Sequence, residues 1–250
     1  MRYFVEFAYV GKAYHGWQNQ PNALTVQQVL ENSFSTLLRQ SVSLTGAGRT
    51  DAGVHARQMF AHFEAEGLQQ KDDMVYRLNS FLPSDISVKT IFEVNENAHA
   101  RFDAVSRTYE YWITQEKNPF YVDYAYEVKS PLHVEKMNQA AKLLLEHTDF
   151  ECFSKSKTDV KTYDCHLRKA TWEKRDDVLV FTITADRFLR NMVRAIVGTL
   201  IEVGQEKYVP EHVKTVLNSK DRGKAGPSVP AKGLYLISVV YPEKIRIRNG

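Results

Sequence analysis

Segments with a two-residue period and segments with a helical period follow one another along this chain without the regular strand-helix-strand rhythm of a parallel sheet. That irregularity is what most narrows its fold. At the start, MRYFVEFAYV places Tyr3, Val5, Phe7 and Tyr9 on one face and Phe4, Glu6 and Ala8 on the other, as in a strand. A loop rich in turn residues, YVGKAYHGWQNQPNA, precedes TVQQVLENSFSTLLRQ, where Val26, Val29, Leu30, Phe34, Leu37 and Leu38 recur at helical spacing. Thr25 and Gln28 supply a capping-box start. MFAHFEAE and DISVKTIFEV read as strands on either side of a short helix, MVYRLNSFL. After the loop NENAHARFDAVS, the strand RTYEYWITQ opens a second series: a helix over about 134 to 146 and a hairpin, RKATWEKRDDVLVFTITA, turning at Asp176-Asp177. A long helix follows, with Leu189, Met192, Val193, Ile196, Val197, Leu200 and Ile201 as one apolar stripe and Arg190 and Arg194 on its shoulder. A shorter helix and the strand GLYLISVVYP close the chain. The expected class is α+β with a largely antiparallel sheet, in two halves over residues 1–100 and 101–250 whose boundary falls near 95 to 106.

With 43% hydrophobic residues in 250, a substantial core is available, and no segment is biased enough to resist folding. The N-terminus lacks an apolar run with a cleavage site, and no window approaches about eighteen consecutive apolar residues. A soluble, cytoplasmic protein that does not enter the membrane is expected. Cys152 and Cys165 are too few for a disulfide framework and too far apart for a Cys-x-x-Cys zinc site, so reduced thiols and no metal are expected. The formal charge of +3 permits a nucleic-acid partner without requiring one. A polyanion site must then come from local clusters: Lys155, Lys157 and Lys161 in FSKSKTDVKTY, and Lys220, Arg222 and Lys224 in SKDRGKAG.

The stretch LTGAGRTDAGVHARQ, residues 44–58, concentrates the chemistry. Gly46 and Gly48 suggest a phosphate cradle, but Asp51 stands where a dinucleotide fingerprint needs its third glycine, and no Gly-Lys-Ser/Thr follows. An acidic side chain there repels phosphate, so no nucleotide cofactor is expected. A purely local reading has Thr50 or Asp51 capping a turn with Gly53 at positive φ. The chemical reading starts from the neighbours: a carboxylate between Arg49 and Arg57, with Thr50 and His55 nearby, stays ionised and is suited to act as nucleophile or electrostatic stabiliser. The arginines can hold phosphates bidentately.

GAGRTDAGVHARQ resembles the central motif of the TruA-type tRNA pseudouridine synthases, and GWQNQPN, TVQQVLE, HARFDAVSRTYEYWI, FLRNMVRAIVGTLIEVG and PAKGLYLISVVYP agree with that family in order across nearly the whole chain. The first loop departs from the family's usual pattern at Val10 and Tyr14. The resemblance implies a pseudouridine synthase fold, with two similar α+β halves forming a central sheet and a catalytic cleft. It implies a homodimer that isomerises uridine to pseudouridine at positions 38 to 40 of the tRNA anticodon stem-loop, with no cofactor. It makes Asp51 the catalytic aspartate, Tyr109 the active-site tyrosine and Arg194 the arginine paired with the aspartate. The resemblance also implies RNA binding and local structure for Arg49 and His55, while Arg57, Tyr109, Lys155 and Lys157 complete the expected substrate contacts. The alternatives left open are an RNA-binding protein without catalysis and a synthase acting on a different RNA.

Overall fold

The structure, a computed structural model, describes residues 1–155 and 160–247. The chain divides into two compact units, Met1–Val105 with Leu236–Gly250, and Ser106–Tyr235. In the first, β1 (Arg2–Tyr9) leads to α1 (Val26–Leu38), the two-residue strand β2 (Thr45–Gly46), β3 (His55–Glu64), α2 (Lys71–Phe81) and β4 (Ile86–Val94). In the second, β5 (Ser106–Thr114) and the short β6 (Tyr126–Glu127) precede α3 (Val134–Leu144), the hairpin β7 (Leu167–Arg175) and β8 (Val178–Ala185), α4 (Met192–Gly204) and α5 (His212–Ser219). The last strand, β9 (Leu234–Val240), begins in the second unit and carries the chain into the first. The expected α+β class with a largely antiparallel sheet is observed: β1 pairs antiparallel with β3 and β4, and β8 pairs antiparallel with β5 and β7, while β5 and β6 are parallel.

Local signals account for several of these boundaries. The Thr25 hydroxyl accepts the Gln28 amide and so caps the start of α1. Asp176 takes φ 48° between β7 and β8, the positive value a tight hairpin needs. One boundary differs from the sequence reading. Leu189 and Arg190, assigned to the apolar stripe and its shoulder, precede α4, because Asn191 adopts a left-handed conformation at φ 67° that a helix cannot contain. Leu189 is nevertheless buried, so the stripe survives as packing while the helix does not extend to it.

In the first unit, aromatic rings fill both faces of β1. Phe4 packs with Phe60, Phe92 and Tyr241, while on the opposite face Tyr3 stacks on Phe63, which meets Phe34 of α1 at 4.8 Å between ring centroids. Strand order in this unit is β4-β1-β3-β9, and in the second β5-β8-β7. The outer strands β4 and β7 are protected in the same way. Asn79 of α2 bonds both the amide and the carbonyl of Val88, each at 2.8 Å, and Asn138 of α3 bonds both backbone groups of Trp172 at 2.8 and 3.0 Å. A carboxamide presents an N–H donor beside a carbonyl acceptor, so it mimics a neighbouring strand and satisfies an edge that would otherwise invite pairing with another chain.

At the end of β3, buried His62 accepts the Ala100 amide on Nδ1 at 3.1 Å. Burial first, then the charges of His99 and Arg2, push its pKa down to about 4, with Glu64 and Asp103 opposing. The imidazole is therefore neutral in the fold, whereas in the unfolded chain it protonates near its ordinary value of 6.5. Its contribution is complete above that value and is lost as pH falls towards 4, where only the unfolded state binds the proton readily. Replacing His62 by Asn keeps an acceptor for Ala100 without the titration. The urea midpoint of the wild type is expected to fall more between pH 7 and pH 4.5 than that of His62→Asn. Parallel pH profiles for the two proteins would remove His62 as a source of acid sensitivity.

Candidate active site

Asp51 sits on a turn built by its immediate neighbours and held by a distant loop of the same unit. β2 and β3 pair only at Thr45 with His62 and Gly46 with Ala61, and the Ala47 amide adds a bond to the Phe60 carbonyl at 2.7 Å. Beyond that point the chain leaves the ladder. The Val54 amide donates to the Asp51 carbonyl at 3.2 Å across Ala52 and Gly53, and Gly53 takes φ 79°, the left-handed value its lack of a Cβ permits. The local reading of Gly53 thus holds, and it leaves the Asp51 side chain out of the turn's closing bond.

The loop between β1 and α1 presses on this turn from the side. The Gly53 amide donates to the Tyr14 carbonyl at 3.3 Å. A Cβ on Gly11 would lie 2.0 Å from the Val54 carbonyl oxygen, and one on Gly16, where φ is 88°, would lie 2.2 Å from that of Thr50. Two glycines therefore permit backbone to meet backbone on both sides of Asp51. His55 completes the contact by accepting the Gly11 amide on Nδ1 at 3.1 Å. With 2% of its surface exposed, His55 is placed to shape the loop; contact with a phosphate would require that loop to open. Asp51 is half-buried, and Arg49 and Arg57 are exposed on either side of it in sequence. The Arg57 carbonyl accepts the Lys89 ammonium at 2.9 Å.

The other expected residues belong to the second unit. Tyr109, on β5 opposite Ile183, is half-buried and meets Phe188 edge-to-face at 5.1 Å between centroids. The strand around it is tightly specified. Thr108 and Thr184 share a hydroxyl hydrogen bond of 2.9 Å, and buried Glu110 pairs with Arg175 at 2.6 Å and accepts from the Trp112 indole at 2.9 Å. Tyr111 lies on the same face as Tyr109 by strand period but is fully buried and donates to the Pro230 carbonyl at 2.7 Å. Burial raises its pKa above the ordinary tyrosine value, with the charge of Arg194 acting in the opposite sense, so its hydroxyl stays protonated. Of the two tyrosines, Tyr109 alone presents a partly open ring.

Arg194 lies in the first turn of α4, half-buried, its Nε donating to the Val229 carbonyl at 2.7 Å while the Val229 amide donates back to the Arg194 carbonyl at 3.3 Å. This reciprocal pair orients the guanidinium plane. Residues 225–230 reach α4 because Gly198 and Gly226 allow it: a Cβ on Gly198 would lie 1.8 Å from the Pro227 carbonyl oxygen. Lys155 and Lys161 are exposed, and the Lys155 amide donates to the Arg190 carbonyl at 3.0 Å. Lys157 lies outside the described residues. In the second cluster, Lys220 pairs with Asp149 at 2.6 Å, and Arg222 donates to the Ala225 and Gly226 carbonyls and the Ser228 hydroxyl, so both have structural partners.

Sequence reasoning passed over Phe188, Gly11 and Gly16. The glycines had a signal in VGKAYHG, two of them in a turn-rich loop, but their partners lie in another part of the chain. Among the described residues no group of three or more His, Cys, Asp or Glu converges as a metal would require, and no helix is long and apolar enough to cross a membrane. Burial pushes the thiols of Cys152 and Cys165 up to about 12, so both are protonated near neutrality.

The chain is similar to known proteins over nearly its whole length. A family model described as tRNA pseudouridine synthase matches residues 7–103 and 140–242. A protein of Parabacteroides distasonis named tRNA pseudouridine synthase A is 51% identical over 247 residues, which is 98% of this chain and 97% of that protein. One of the same name from Bacteroides thetaiotaomicron is 52% identical, covering 98% of this chain and 92% of its own. Another, from Syntrophomonas wolfei, is 40% identical over 94% of this chain and 95% of its own length.

Proposed function

Since this chain belongs to the tRNA pseudouridine synthase family, we propose that it is an isomerase converting uridine to pseudouridine in tRNA, at positions 38 to 40 of the anticodon stem-loop, with Asp51 as its catalytic carboxylate. The reaction breaks the bond from N1 to C1′, turns the uracil, joins C5 to C1′ and releases the C5 proton while N1 gains one. Atoms and electrons balance within the nucleotide. The observation that carries the reading is the placement of Asp51, on a turn whose backbone bond is closed without its carboxylate and which a second loop holds through Gly11 and Gly16. A carboxylate held in this way can attack C1′ or stabilise the cationic sugar without a prior rearrangement of its loop.

The target uracil must leave its stack, which costs a few kcal/mol and calls for an aromatic surface to receive it. The partly open ring of Tyr109, steadied by Phe188, suits that role, and its hydroxyl can carry the C5 proton. Arg194 is assigned as the charge partner of the Asp51 carboxylate on its place in the family's motif, Arg49, Arg57 and Lys155 contact phosphate, and Lys157 is assigned with them on its residue type. In this reading the enzyme acts as a homodimer in the cytoplasm and needs no cofactor.

The experiment is tritium release from tRNA labelled at C5 of uridine, followed by mapping of the product. Release with pseudouridine at 38 to 40 is expected; modification at other positions would redirect the substrate assignment, and binding without release would leave an RNA-binding protein. Tyr109→Phe keeps the ring and removes the hydroxyl. It is expected to bind tRNA normally and to turn over about 10²-fold more slowly, the scale of a lost proton-transfer group. Wild-type turnover would reduce Tyr109 to a stacking surface.

A further inference from the structure

We infer that Tyr9 is a positioning residue for Asp51, acting through the hydroxyl of Thr50; the inference rests on the role of Asp51 proposed above. Tyr9 is the last residue of β1, paired with Ala56 on β3 and Ile86 on β4, and its ring is 3% exposed. That ring stacks on Phe7 at 6.2 Å between centroids and 25° between planes, and Phe7 stacks in turn on Trp17 at 5.2 Å and 29°. Trp17 is buried, and its indole occupies the space that a side chain on Gly46 would need. The phenol is thus fixed by the sheet and by a row of rings, so its hydroxyl has a definite position.

That hydroxyl shares a hydrogen bond of 2.9 Å with the hydroxyl of Thr50, the residue immediately before Asp51. The other side of Thr50 is confined as well, since its carbonyl oxygen is the atom that the backbone of Gly16 approaches. Asp51 therefore follows a residue held at its side chain by Tyr9 and at its carbonyl by Gly16, and precedes the turn closed by the Val54 amide. The bulges in β1, between Phe7 and Tyr9 against β3 and between Glu6 and Phe7 against β4, shift the register just before Tyr9, and the Tyr9 pairing lies beyond them.

Tyr9 acts on reaction rate through geometry. Its loss widens the range of positions the Asp51 carboxylate samples, which lowers the rate of the chemical step and leaves tRNA affinity unchanged. Tyr9→Phe and Thr50→Val each remove one side of the bond. Each is expected to slow single-turnover pseudouridine formation at saturating tRNA about three- to tenfold, the range of one ordinary hydrogen bond, with KM unchanged. The double variant is expected to be no slower than the slower single variant, because both changes remove the same interaction. Thr50→Ser keeps the hydroxyl and is expected to restore most of the rate.

Asp51→Asn is assayed alongside to separate the two readings. If Asp51→Asn is inactive while Tyr9→Phe and Thr50→Val both react at the wild-type rate, the positioning role is wrong and the role of Asp51 stands. If the two slow the reaction independently, so that their effects multiply, the link through Thr50 is wrong. An active Asp51→Asn overturns the catalytic reading itself. Should Tyr9→Phe fail to fold, Thr50→Val and its rescue by Thr50→Ser decide the question alone, because Thr50 is part of the loop and not of the core.

Discussion

Asp51→Asn is expected to abolish pseudouridine formation, by at least about a thousandfold in single turnover, while the protein remains folded and binds tRNA. The substitution holds size nearly constant and exchanges a negative charge for a neutral amide. The turn is closed by the Asp51 carbonyl accepting the Val54 amide, a bond asparagine makes equally well, and Gly53 keeps the positive φ it needs. Stability is expected to change by no more than about 1 kcal/mol. Affinity for tRNA is expected to hold or rise slightly, since a carboxylate facing a phosphate backbone is repulsive and an amide is not. No other carboxylate lies in residues 44–58, so none can take its place without moving the backbone. A purified variant that binds tRNA and forms pseudouridine at a rate near the wild type would make the motif structural and end the proposed mechanism.

Gly16→Ala is the second substitution with a large expected effect, and it works through distance. At φ 88° any side chain is strained, and a Cβ there would sit 2.2 Å from the Thr50 carbonyl oxygen, well inside contact distance with an atom of the backbone that cannot rotate away. The loop must separate from the Asp51 turn. A loss of about 2–4 kcal/mol in denaturant unfolding is expected, combining left-handed strain with overpacking. Turnover of the protein that remains folded is expected to fall at least about tenfold, because the displaced atom belongs to the residue next to Asp51. Gly67→Ala is the control. Gly67 also has a positive φ, 63°, but a Cβ there meets nothing within 4 Å, so only the conformational cost of about 1 kcal/mol is expected and turnover should not change. Equal effects of the two substitutions on stability and turnover would mean that the approach of Gly16 to Thr50 does not hold the loop.

What the sequence determined by itself is what depends on near neighbours. The cap at Thr25, the two-residue turn at Asp176 and the positive φ of Gly53 are settled within a few residues, because steric limits on φ and one local hydrogen bond decide them. The alternation of β1 and β5 and the stripe of α4 follow from side-chain period in the same way, and they were enough for the α+β class. Asp51, Tyr109 and Arg194 could be singled out as candidates because charge, residue type and motif are linear properties. Their supports could not. Gly16 meets Thr50, His55 accepts from Gly11, Tyr9 reaches Thr50 and Arg194 bonds Val229 across long stretches of intervening chain. The left-handed Asn191 that excludes Leu189 and Arg190 from α4 has its carboxamide on the Ser228 hydroxyl, again a distant partner. The same holds for Asn79 and Asn138, whose partners lie on strands outside their own helices, and for residues 236–250, which return to the first unit. Such contacts are chosen by close packing of whole elements, where sub-ångström fit outweighs local preference, and that fit exists only once the chain has folded.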